Sequence, residues 1–272
     1  NVVEGEYILI WHQPAGMIMF GDNKLSGDVK WQAFKKLLVN STKNINMTVW
    51  ESNKIPEIWS TIHKRYKTKS TIVPCSWNQE VFSAEGLHSH LLPHVISDNV
   101  VNPKEIKNFP IDLDNYFTVF SMSQWIHRKG FDALVKAFSM EFDEDPDAIL
   151  VLKTYVSAMN LNNFGFEKQT DMVINAIVNE KNAIYKGGRR SNSKIVPICN
   201  IIPYVNPEFN FLFNTFEFPY VGDPGYDYDM TWREPDVIDL RRQLRKAYNL
   251  WKENKLSEMG KASKQATVGY DL

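Results

Sequence analysis

The sequence is poor in cysteine, in long apolar runs and in net charge. Its two cysteines, Cys75 and Cys199, are too few for a disulfide framework and stand at no metal-ligand spacing. That excludes the small secreted disulfide scaffold and the zinc module, and leaves free, buried thiols in a reducing compartment as the expectation. The longest apolar stretches, such as Ala148 to Leu152 and Ile195 to Ile202, fall far short of the roughly 20 residues a membrane-spanning helix needs. The sequence opens without a basic-then-apolar leader pattern, so a cytoplasmic protein with no transmembrane segment is expected. The formal charge is −1, from 31 basic and 32 acidic residues, and no long basic block exists. Affinity built on broad neutralisation of a nucleic-acid backbone is thereby excluded, while a local basic site is not. No internal repeat or low-complexity stretch is found.

What is present is enough apolar material for a core: 43% of 272 residues, with 13% aromatic, sufficient for one large domain or two modest ones. Strand-like and helix-like segments alternate from the start, the pattern of parallel sheets covered by helices. Tyr7 to Trp11, Ile45 to Trp50, Ser70 to Val73 and Leu91 to Ile96 read as strands; Asp28 to Val39, Ile55 to Tyr66 and Trp77 to Glu85 read as the helices between them. A polar, proline-containing stretch from Ser97 to Asp114 reads as a hinge. The expected division is an N-terminal Rossmann-like domain at 1–112, a second at 113–233 and a helical tail at 234–272 that packs back on the first domain.

The clearest unit follows the hinge: a strand from Tyr116 to Met122, a loop, a helix with Phe131, Leu134, Val135, Phe138 and Phe142 on one face, then a strand from Ala148 to Lys153. Arg128 and Lys129 fall where that helix begins, and Gly130 follows. Two cations at the positive end of a helix dipole are unfavourable by themselves, and an anion would reverse the sign. A phosphate held there could take backbone N–H bonds as well as both side-chain charges, with glycine allowing close approach. The plain alternative is a solvated Arg-Lys pair that ends a loop. Further on, Glu234-Pro235-Asp236 opens an amphipathic helix carrying Val237, Leu240, Leu244, Tyr248 and Trp251 on one face and Arg241, Arg242, Arg245 and Lys246 on the other.

The stretch Phe117 to Gly130, followed by Phe131-Asp132 and Leu134 to Phe138, resembles the strand, phosphate loop and helix of glycosyltransferase family 4, the retaining GT-B enzymes. Collinear likenesses accompany it: Thr48-Val-Trp-Glu51 with Ile55-Pro56 and Trp59; Ile72 to Trp77 with Phe82 and Gly86; Leu92 to Val95; Ile149 to Thr154; Asn200 to Tyr204 with Glu208; and Trp232 to Asp236. The resemblance implies two Rossmann-type domains facing a cleft, with a C-terminal helix crossing back to the first. It implies hexose transfer, with retention, from a UDP- or GDP-linked sugar to an acceptor hydroxyl. The acceptor, whether glycan, lipid, protein or modified base, is left open, and no cofactor or metal is implied. Arg128 and Lys129 would neutralise the donor diphosphate, helped by Gln124, Gly130 and Lys153; Pro203 and Tyr204 would meet the nucleotide base, and Glu51 the sugar or acceptor. Lys153 could equally be a solvated strand end, and Glu51 a helix-capping acid before Ile55-Pro56. His12 follows a strand and could face the cleft, although a lone histidine there is more often structural.

Three departures stand against the resemblance. Ser123 and Gln124 occupy the place where many members carry a further basic residue. Between Phe209 and Glu217 nothing supplies the Gly-Glu-Gly segment, or the second glutamate after it, that would hold the donor sugar. The glycine-rich first strand and loop are also absent. These gaps keep open a second reading, a GT-B-like nucleotide- or glycan-binding module without catalysis. A third, a two-lobed small-ligand binder, would not need cations at a helix start. Asp227-Tyr228-Asp229 has metal-motif spacing, but its Gly-, Pro- and Tyr-rich context reads as turn and capping chemistry.

Overall fold

A computed structural model describes residues 5–94, 113–155, 166–185, 191–199, 215–219 and 230–266. The chain divides into two compact units, Asn1–Val95 with Glu217–Arg233, and Ile96–Phe216 with Glu234–Leu272. Each is built on a parallel sheet, so the α/β class with two parallel sheets holds.

In the first unit the strands β1 (Ile8–His12), β2 (Lys43–Met47), β3 (Thr68–Val73) and β4 (Ser89–Leu91) pair in that order. Helices α1 (Gly16–Lys24), α2 (Val29–Asn40), α3 (Glu57–Arg65) and α4 (Ser76–Ala84) connect them. Asp28 starts α2 by accepting a hydrogen bond from the Trp31 amide at 2.8 Å, which satisfies one of the helix's unpaired donors. Helix α1 escapes the sequence reading because GMIMFGDNK has no clean apolar stripe and carries two glycines. Gly21 has a packing reason: a Cβ there would come within 2.3 Å of the Trp31 ring. The core gathers Trp11, Ile18, Trp31, Trp59, Ile62 and Phe82.

In the second unit β5 (Phe117–Gln124), β6 (Ala148–Tyr155) and β7 (Lys194–Ile198) pair in chain order. The central strand is buried on both faces. Ala148, Leu150 and Leu152 pack with α5 (Phe131–Glu141) and α6 (Phe166–Ile184), while Ile149 and Val151 face Tyr116, Phe120 and Ile198 on the other side. A continuous apolar run with period-two sorting is what a covered parallel strand requires.

The expected domain limits need two corrections. Met230 is buried in the first unit's core, and Thr231 is tied there by Ser52 Oγ donating to its carbonyl at 2.9 Å and by its own amide donating to Asn53 Oδ1 at 2.8 Å. Residues before Glu234 therefore do not all belong with the second domain. The tail helix α7 (Val237–Lys252), expected on the first domain, packs on the second: Leu240, Leu244, Ala247 and Tyr248 enter the core formed by Phe117, Phe138 and Phe142. Charge matching fixes the choice. Arg241 and Arg245 pair with Glu141 at 3.1 and 2.6 Å, Arg245 also reaches Asp145 at 2.9 Å, and Tyr248 donates to Asp147 at 2.7 Å. A further helix, α8 (Leu256–Ala266), follows. Of the two thiols, Cys199 is buried as expected but Cys75 is exposed, because it stands at the cap position between β3 and α4 rather than inside either.

Candidate functional site

In a parallel sheet all strands end on the same side, and the loops leaving those ends are where a doubly wound protein can hold a ligand. In the second unit, Gln124 is the last residue of β5 and pairs with Tyr155, the last of β6; Lys153 lies two positions earlier, opposite Met122 and Ile198. Gln124 and Lys153 therefore share one face of the sheet, at its carboxyl end.

From Gln124 the chain turns into α5 through a short, fully tied loop. The Trp125 amide donates to Tyr155 O at 2.9 Å, which holds the loop against the neighbouring strand end. The Trp125 ring stacks on Phe131 at 4.8 Å with planes 9° apart. His127–Lys129 form one 3-10 turn, closed by the Gly130 amide donating to His127 O at 2.8 Å. Gly130 then adopts φ +66° and ψ 25°, and α5 begins at Phe131. That left-handed conformation costs an L side chain about 1 kcal/mol or more, so glycine is required by the backbone itself. The first three amides of α5 have no partner within the helix, as in any α-helix start.

Arg128 and Lys129 are exposed and lie in the 3-10 turn immediately before the helix. Asp132, inside that first turn, sits 3.8 Å from His127. Its carboxylate already answers part of the helix dipole, so the repulsion felt by the two cations is smaller than the sequence argument supposed. Five expected donor-site residues, Gln124, Arg128, Lys129, Gly130 and Lys153, are gathered at one end of one sheet. Pro203 and Tyr204, expected at the base, lie outside the described residues, as does Asp227-Tyr228-Asp229.

Two polar groups at this sheet end were given no role in the sequence reading. Ser123 pairs with Thr154 across β5 and β6, on the face that α5 covers. Thr154 is buried, and among the described residues its hydroxyl finds no hydrogen-bond partner. An unsatisfied buried hydroxyl is costly and calls for a reason. The signal was the period-two series Leu150, Leu152, Thr154, in which the apolar stripe turns polar at the strand's end.

Glu51 and His12 belong to the first unit. Glu51 is exposed in the loop after β2, between buried Trp50 and Ser52. Asn78 pins this loop by donating to Trp50 O at 2.6 Å. The cap position of α3 is Pro56, which has no side chain able to cap it. His12 ends β1, is exposed, and lines a small cavity at the carboxyl end of the sheet with Thr48, Val73, Leu92 and His94. Among the described residues no group of three or more His, Cys, Asp or Glu could hold a metal ion, and no helix is long and apolar enough to cross a membrane.

No protein-family model matches the chain, and no curated protein matches it. Among solved structures it is similar to TarM, at 12% identity and TM-score 0.48 over 97% of this chain and 52% of that one. It is similar to the pneumococcal O-GlcNAc transferase GtfA in complex with UDP and GlcNAc, at 14% identity and TM-score 0.43 over 90% and 52%. It is also similar to the trehalose-6-phosphate synthase OtsA, at 9% identity and TM-score 0.43 over 72% and 47%. The chain thus spans about half the length of these neighbours. Each is a likeness of shape alone.

Proposed function

We propose that the chain is a glycosyltransferase of GT-B type that holds a nucleotide-diphosphate sugar at the carboxyl end of its second sheet and passes a hexose, with retention, to an acceptor hydroxyl. The observation that carries this reading is the path from Gln124 through the 3-10 turn of Arg128 and Lys129 to left-handed Gly130 and the start of α5. Such a path offers the unpaired amides of a helix start beside two exposed cations, the combination a pyrophosphate uses. Charge grows on the departing nucleoside diphosphate as the glycosidic bond breaks, so groups that neutralise it also lower the barrier. Arg128 and Lys129, rather than a metal ion, are the proposed neutralising charges. Gln124 is proposed to donate a hydrogen bond where a charge is missing, Lys153 to assist from β6, and Glu51 to meet the sugar or acceptor. A cytoplasmic location and a UDP or GDP leaving group belong to the same proposal.

Calorimetric titration with UDP and with GDP tests the site. Lys129→Ala is expected to weaken binding by about tenfold or more, the loss of one charge-assisted contact, with an unchanged circular dichroism spectrum. Equal affinities in wild type and variant would remove the assignment. The alternative, a binding module without catalysis, is favoured by one sequence fact, the missing Gly-Glu-Gly segment before Glu217. Release of UDP from UDP-sugars, or of GDP from GDP-sugars, separates the two: binding without release in the presence of acceptor sugars supports the module.

A further inference from the structure

The cationic face of α7 has more charge than its own packing consumes. Arg241 and Arg245 are committed to Glu141 and Asp145, and Arg245 also lies over the Phe142 and Tyr248 rings at 4.9 and 5.0 Å. These contacts hold both guanidinium groups in place. Arg242 and Lys246 are exposed, one helical turn apart. A like-charge pair at that spacing weakens a helix, so it is a local cost to α7. Ile238, one turn before Arg242, is 62% exposed, although the apolar face of the same helix is buried in the core.

These side chains form one feature. An open groove of about 580 Å³ runs along α7, lined by Ile238, Arg241, Arg242, Arg245, Lys246 and Leu250 and also by Glu141, whose carboxylate is already paired with Arg241 and Arg245. From Ile238 to Leu250 the helix rises about 18 Å at 1.5 Å per residue, the span of some five to six extended residues. Its ends are apolar and its middle is cationic.

We propose that this groove docks a short acidic peptide segment of a partner protein. Its carboxylates meet Arg242 and Lys246, and an apolar side chain covers Ile238. Charge complementarity selects this occupant. A lipid surface needs a broad apolar helix face beside the basic one, and here Ile238 is the exposed apolar residue among them. A nucleic acid gains affinity from many phosphate contacts, and two uncommitted cations on a chain of net charge −1 supply few. Arg242 presents a planar fork suited to a carboxylate, and Lys246 a point charge that tolerates varied geometry. The inference stands apart from the nucleotide site, which uses none of these residues.

The probe is a fluorescein-labelled twelve-residue peptide alternating Asp or Glu with Leu, titrated into the full chain and followed by anisotropy at low and moderate salt. Saturable binding is expected, weakened at least tenfold by R242E/K246E and several-fold by I238S, and lost on replacing the peptide's acids by amides. R242E alone creates an opposite-charge spacing with Lys246, so it keeps the helix while removing affinity. Absence of peptide binding, or equal binding by wild type and all variants, overturns the proposal. Retention on phosphatidylglycerol vesicles or on duplex DNA without affinity for the peptide overturns it too, in favour of that other partner.

Discussion

His63 is 4% exposed, inside the first unit's core, and shows how a single side chain ties fold to solution behaviour. Asn46 donates through Nδ2 to Trp11 O at 3.3 Å and Gln13 O at 3.0 Å, so its Oδ1 is left to accept from His63 Nε2 at 3.3 Å. That arrangement places a proton on His63 Nε2. Burial pushes its pKa down from 6.5 to about 4. Between those values the unfolded chain takes up a proton that the folded chain refuses, so stability falls as pH drops from about 6.5 and levels off below about 4. The full loss is on the order of 3 kcal/mol. His63→Gln keeps a donor toward Asn46 and removes the titration; urea melts from pH 4 to 7 are expected to show a flatter dependence than wild type. An equal slope in both proteins would contradict the assignment. At Gly130, Ala substitution forces an L side chain to φ +66°, with its Cβ 3.4 Å from Pro235. A loss of about 1 kcal/mol in urea melts is expected, together with weaker UDP binding. Gly27→Ala, where a Cβ meets nothing within 4 Å, is the control that leaves UDP binding unchanged.

Elements bounded by their own residues could be read in advance. Asp28 before α2 and Asp236 before α7 each cap a helix that the sequence placed. Asp236 accepts from the Ile238 and Asp239 amides at 2.9 and 3.2 Å. Asp236→Ala is expected to cost about 1 kcal/mol, measured as a lower urea midpoint; an unchanged midpoint would mean the cap adds nothing. Helix α1 was not legible, because its apolar residues are spread round the cylinder and Gly21 serves a tryptophan ten positions away in sequence. The stripe of α7 was legible but its destination was not. The acids that select it, Glu141, Asp145 and Asp147, lie about a hundred positions upstream, and no local period reports such a match.

At the scale of the whole molecule, alternation of strand and helix sufficed for two parallel sheets. The loop from Gln124 to Gly130 was legible because cations beside a glycine at a helix start are locally unfavourable. Ser123 and Thr154 were not, since a polar residue ending an apolar strand looks like an ordinary solvated terminus until the backbone places it beneath α5. The turn between β5 and α5 and the end of β6 make one surface, and the functional account rests on a diphosphate lying there.

Hydrogen–deuterium exchange with and without saturating UDP tests that placement most directly. Protection confined to peptides covering 123–134 and 153–155 is the expected result. Binding of UDP that leaves those peptides unchanged, or protects other segments in their place, would contradict the account.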